Sequence, residues 1–189
     1  KDSNYKKMIS AHVDTLGAVV KKIKKNGRLE VTNVGGFAWG SVEGENVIIH
    51  TISGKTYSGT LLPVKASVHV YGDVAREMPR TEETMEIRID EDVKTDQDVF
   101  KLGILQGDFV SLDPRTRVLE NGYIKSRYLD DKLCVAQNTI GVHNRYGSDA
   151  TTAILQGFDF KYACIGPNVD ATHHYERCHN DGIVETIKL

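Results

Sequence analysis

His12 and Asp14 stand two residues apart in SAHVDTLG (residues 10–17), an imidazole and a carboxylate set in an otherwise apolar run. In a strand, side chains at i and i+2 point the same way, so the two would lie side by side. The plain reading is a half-buried pair that satisfies itself by a hydrogen bond. The sharper reading is a metal ligand with its orienting carboxylate, because ligating histidines usually donate their second nitrogen to such a group. Two further stretches carry the same residue types. Asp130 and Asp131 lie in YLDDK, and DATHHYERCH places His173, His174 and His179 close together. Each stretch falls where a strand is predicted to end, the position at which α/β sheets place their chemistry. Each also has a plain reading. LDD followed by Lys is a common helix start with acids in the first turn. HHYERCH reads equally as a polar loop held locally by Tyr175, Glu176 and Arg177. Together, however, histidines and carboxylates are the ligands expected for Zn²⁺, Mn²⁺ or Co²⁺. One Asp can bridge two ions about 3.5–4 Å apart, and such a pair polarises a carbonyl while lowering the pKa of a bound water.

The elements that must hold these residues divide the chain in two. Residues 4–22 read as a strand, a turn and a second strand. From there to about residue 121 short alternating runs follow one another: RLEVTNV, NVIIHTI, SVHVYGD, TMEIRID and DFVSLD. Asn26-Gly27, SGKT and Asn121-Gly122 supply turn signals between them. Strands at this spacing predict a small barrel or sandwich. TDQDVFKLGI is the one helix predicted inside it, capped by Thr95 or Asp96 and closed near Gly103. After residue 122 the pattern changes. YIKSRYLDDKLCVAQ passes from strand to helix, GSDATTAILQG is a helix capped by Ser148 or Asp149 and closed at Gly157, FKYACIGP is a buried strand, and GIVETIKL begins another helix. This alternation predicts α/β layering. The expected organisation is an α/β domain formed by residues 1–16 and 122–189, with an all-β barrel-like domain, 17–121, inserted between them.

The 189 residues suffice for a real core, and 40% hydrophobic with 26% charged residues is ordinary for a globular protein. A net charge of −2, with both signs scattered, argues against nucleic acid or an acidic membrane surface as partner. No apolar run approaches the roughly 18 residues of a membrane span. Cys134, Cys164 and Cys178 are odd in number and lack paired spacing, so a reducing cytoplasm is the expected location.

SAHVDTLG, VGGF, GYIKSRYLDDK, YGSDA and DATHHYERCH occur in an order that resembles the dinuclear-metal tetrahedral aminopeptidases, the glutamyl- and deblocking-aminopeptidase relatives. The resemblance runs from about residue 7 to the end, and GYIKSRYLDDK and HHYERCH are its most specific parts. It implies a zinc-peptidase-like α/β domain with an inserted β-barrel that makes dimer contacts, and dimers assembled into a hollow dodecamer. It implies peptide substrates, trimmed from the N-terminus, and two divalent ions per subunit, Zn, Co or Mn. Carried over residue by residue, His12 binds one metal with Asp14 orienting it, and Asp130 bridges both ions. The bond from Asp130 to Asp131 is cis, and His179 binds the second metal, with His173 as the other candidate for that place.

The resemblance also implies a Glu-Glu pair after the LDD helix, one member serving as general base. Between Asp131 and Asp149 the sequence has no Asp or Glu. Glu82-Glu83 lies in the β-rich insert and is rejected as the base. The stretch from Lys132 to Gly147 is too short for a helix, a strand and the return to a sheet. A join between segments that are not neighbours in the intact gene is therefore expected near Ala136-Gln137. Two competing functions follow: an inactive assembly or scaffold protein on the same fold, and a glycoside hydrolase. The second needs two carboxylates flanking a sugar, which leaves the histidines unexplained.

Overall fold

The computed structural model describes residues 11–136, 149–158 and 166–188. Two compact units emerge, Thr15–Pro114 on the one hand, and Lys1–Asp14 with Arg115–Leu189 on the other.

The first unit is a closed six-stranded barrel. Its strands are β1 (Gly17–Ile23), β2 (Leu29–Val34), β3 (Asn46–His50), β4 (Thr56–Pro63), β5 (Met85–Ile89) and β6 (Phe109–Leu112), ordered β1-β2-β5-β4-β3-β6 around the seam. Every pairing is antiparallel. Alternation decides which side chains turn inward: Val47 and Ile49 on β3, Leu29 and Val31 on β2, Met85, Ile87 and Ile89 on β5, all buried. β4 carries Gly59 where a side chain has no room. A Cβ there would stand 2.8 Å from the Arg88 carbonyl oxygen and 2.9 Å from the Ile87 methyl.

Between β4 and β5 run two short helices, α1 (Val68–Tyr71) and α2 (Asp73–Glu77). SVHVYGD, expected to be a strand from its alternation, is therefore helical. A barrel already closed by six strands has no edge left to pair it, and Val68, Val70 and Tyr71 stay exposed. The third helix, α3 (Asp96–Leu102), follows its signals closely. Thr95 is its N-cap in a full capping box with Asp98, and Gly103 ends it in the left-handed region at φ 87°.

The Thr95 hydroxyl, the Lys101 ammonium and the Lys94 backbone N–H all favour the charged form of Asp98 and hold its carboxyl at about 2. A depressed carboxyl stabilises the fold above its unfolded value, and that contribution is lost as pH falls from about 3.9 towards 2. An NMR pH titration of Asp98 should have its midpoint near 2. In Thr95→Ala the midpoint should move up towards the ordinary carboxylate range, and an unmoved midpoint would remove the cap from the account.

The second unit contains β7 (Arg117–Val118), β8 (Tyr123–Ser126), α4 (Leu129–Ala136), α5 (Asp149–Leu155), β9 (Glu176–His179) and α6 (Asn180–Ile187). The strands form an antiparallel sheet, β7-β8-β9. Leu129 of α4, Cys178 of β9 and Ile183 of α6 make its buried core, with Ile124, Leu133 and Val169 packed against them. Of the α/β layering expected after residue 122, the described residues contain this sheet and its helices. FKYACIGP lies mostly outside them, as do residues 137–148 with most of the stretch expected to hold a join. The compact barrel unit ends at Pro114 rather than near 121, since β6 completes it against β1 and β3, while β7 pairs with β8.

Candidate metal centre

Three segments of the second unit bring His12, Asp14, Asp130 and His173 together. Residues 11–16 form no regular strand, so the i, i+2 strand geometry does not apply to His12 and Asp14. They nonetheless meet, with His12 Nδ1 3.1 Å from Asp14 Oδ1. That contact leaves Nε2 as the outward nitrogen, and it lies 3.6 Å from Asp130 Oδ1. The His12 backbone N–H donates to Asp131 Oδ2 at 3.2 Å.

Asp130 sits at the start of α4, where Asp130 and Asp131 have non-helical dihedrals and the bond between them is cis. Its side chain is only 14% exposed, and each oxygen faces a histidine. His173 Nε2 approaches Oδ2 at 3.7 Å from the loop before β9. That loop is turned by two non-glycine residues in the left-handed region, Ala171 at φ 59° and His173 at φ 66°.

His179 is placed differently. Its Nε2 lies 3.0 Å from the Asn121 carbonyl oxygen, so the ring N–H donates there. Its Nδ1 accepts from the Asp181 backbone N–H at 3.2 Å, making His179 the N-cap of α6. Tyr123 packs edge-on against the ring. Both ring nitrogens of His179 are thus engaged in hydrogen bonds. Glu82, rejected as a base from its context, bonds Lys21 and Thr32 on the barrel.

Sequence reading did not single out Glu176 as part of the site. It is 2% exposed; Oε2 accepts the Asp130 N–H at 3.0 Å and Oε1 accepts the His173 N–H at 3.0 Å. Burial pushes its carboxyl above the ordinary range, while these N–H groups pull the other way. A signal was available: Glu176 and Cys178 are i and i+2 on one strand, and a buried Cys178 implies that Glu176 also faces inward.

Among the described residues no three His, Cys, Asp or Glu side chains close around one point as a finished metal shell does. The donor chemistry nevertheless fits a divalent cation. Two donors about 2.1 Å from one ion in tetrahedral array are about 3.4 Å apart. The 3.6 and 3.7 Å separations sit just above that, one on each oxygen of a single carboxylate.

The family match and the curated relatives are those of aminopeptidases. The chain belongs to the M42 glutamyl aminopeptidase family, whose model matches residues 1–139 and 137–189 in two pieces. It is 34% identical to the putative aminopeptidase YhfE of Bacillus subtilis, over all of this chain and 81% of that protein. That match is 281 residues long and so exceeds the chain itself. The two family pieces overlap at residues 137–139, beside Ala136-Gln137, where a join is expected. Among solved structures, an aminopeptidase of the archaeon Desulfurococcus kamchatkensis is 26% identical with a TM-score of 0.57, covering 66% of this chain and 32% of that one. The TET1 peptidase of Pyrococcus horikoshii is 23% identical with a TM-score of 0.55, covering 66% and 36%, a likeness of fold. The chain thus spans about a third of the length of the solved structures it matches.

Proposed function

We propose that this protein is a metal-dependent aminopeptidase that removes N-terminal residues from peptides, using two divalent ions, Zn, Co or Mn, in each subunit. The observation that carries this reading is the Asp130 carboxylate with a histidine at each oxygen, in a chain of the M42 family. His12 and Asp130 would hold one ion, and Asp130 with His173 would hold the other. Asp14 fixes the ring of His12 so that Nε2 faces the site. When bound, the ions supply Lewis acidity at the scissile carbonyl and lower the pKa of water. The buried face of Asp130 keeps competing solvent from its oxygens.

A second reading is an assembly protein without peptidase activity. It is favoured by the absence of any Asp or Glu between Asp131 and Asp149, where a general base is expected. One experiment separates the two: metal analysis of the chain together with a panel of aminoacyl-arylamides. Cobalt-stimulated release of the arylamine supports the peptidase; metal binding without release supports the assembly protein. A chain that binds no divalent metal overturns the metal centre. Within the same assay His173→Ala should weaken Co²⁺ binding by at least about 10-fold, while His179→Ala should leave it near that of the parent. The reverse order would return the ligand role to His179.

The Pyrococcus horikoshii TET1 peptidase assembles into a tetrahedron or a large octahedral shell. We assign this protein a homo-oligomeric state as well, built from dimers towards a dodecamer, with the barrel supplying contacts. Val68, Val70, Tyr71 and Val74 on α1 and α2 give that barrel an exposed apolar surface. Among the described residues no helix is long and apolar enough to cross a membrane. The free, buried Cys178 agrees with a cytoplasmic location.

A further inference from the structure

We infer that Glu176 is the positioning residue that sets the separation between Asp130 and His173, an inference that rests on the metal-centre reading above. The two side chains come from different segments: Asp130 opens α4, and His173 lies in the loop before β9. Their backbones share one partner. Glu176 Oε2 accepts the N–H of Asp130 and Oε1 accepts the N–H of His173, each at 3.0 Å. The first N–H groups of a helix have no partner inside it, so a carboxylate there relieves α4 of an orphan donor. Here the same group reaches a second segment as well.

The geometry gives the carboxylate a role that few other side chains can fill. Two equivalent acceptor oxygens, about 2.2 Å apart, hold two donors at a fixed spacing. Buried at 2% exposure, they face little competition from water. Glutamine keeps the shape but presents an NH₂ group to one of the two N–H donors. Aspartate keeps both oxygens but withdraws them by one methylene. The loop itself is held at its far side, where Arg127 Nη1 donates to the His174 carbonyl at 3.2 Å and the Tyr175 hydroxyl donates to the Arg115 carbonyl at 2.8 Å. Glu176 is thus the link that ties this loop to the residue carrying the bridging oxygens. Loss of such an outer partner typically costs a metal site 10–100-fold in affinity.

The test uses the full chain, Co²⁺ as the probe, and the variants Glu176→Gln and Glu176→Asp beside His173→Ala. Binding is read by calorimetry and by the visible spectrum of Co²⁺, and folding of the barrel by the fluorescence of its single Trp39. Both Glu176 variants should bind Co²⁺ about 10–100-fold more weakly and with an altered spectrum. In Glu176→Gln the amide protons of Asp130 and His173 should both shift upfield. A Glu176→Gln chain that loses thermal stability yet matches the parent in affinity and spectrum overturns the inference, leaving a helix cap. Full recovery in Glu176→Asp overturns it too, since charge rather than reach would then suffice. If His173→Ala weakens binding and Glu176→Gln does not, only the positioning role fails. If the parent chain binds no Co²⁺, the metal reading fails, and the clamp is judged on the amide protons alone. Joint movement of the two resonances upholds it, and either one staying in place refutes it.

Discussion

Replacing Asp130 with asparagine should lower the affinity for Co²⁺ by more than about 100-fold, beyond the 10–100-fold that loss of an outer-shell partner costs. The reason is the use of both oxygens. Oδ1 faces His12 at 3.6 Å and Oδ2 faces His173 at 3.7 Å, so no rotation of an amide serves both sides. One side would meet an NH₂ group, which cannot coordinate and would instead donate to an imidazole nitrogen. Asp14→Asn is the calibrating variant. Asp14 touches only the far nitrogen of His12 and is largely exposed, so its loss should cost less. Calorimetric titration of both variants gives the order directly. An Asp130→Asn chain that binds Co²⁺ like its parent would place the metal elsewhere, whatever happens at Asp14.

The second large effect lies in the barrel. Ile87 has no exposed surface and sits on β5 between its register partners Leu29 on β2 and Leu61 on β4, which are buried as well. Truncating it to alanine removes three carbons from a place that cannot collapse, since the strands on both sides are hydrogen-bonded around a closed ring. The expected loss is about 2–5 kcal/mol of stability. Urea unfolding followed by Trp39 fluorescence reads it. Ile52→Ala is the contrast: Ile52 is 92% exposed, and its truncation should stay within about 0.5 kcal/mol. Equal effects at the two positions would mean that Ile87 is not in the core that the register describes.

The parts of this molecule legible in its sequence are those governed by neighbours in the chain. Thr95, Asp98 and Gly103 mark the ends of α3 because capping is a local transaction between side chain and backbone. Alternation reveals most barrel strands because a pleated strand with one buried face repeats every two residues. SVHVYGD has the same alternation and is helical, since whether a strand finds a partner depends on how many others have already closed the ring. The placement of His173 and His179 was illegible for a similar reason. Ala171 and His173 adopt left-handed dihedrals, which no periodicity encodes, and Asn121 and Asp181 engage both nitrogens of His179. His12 and Asp130, by contrast, were singled out by residue type, and the fold brings the two side chains within 3.6 Å.

The barrel begins and ends on adjacent strands. Gly17 of β1 is paired with Ser111 of β6, and neighbouring strands lie about 4.8 Å apart. Once folded, the entire excursion from Thr15 to Pro114 therefore presents its flanking chain with two ends scarcely farther apart than those of a hairpin turn. Loop-closure entropy rises with the logarithm of a flexible loop's length, and a folded module removes most of that length from the count. A barrel that closes first would spare the residues on either side the long search that separates His12 from Asp130 in sequence. The order of events during synthesis favours this route, because every strand of the barrel leaves the ribosome before Asp130 does.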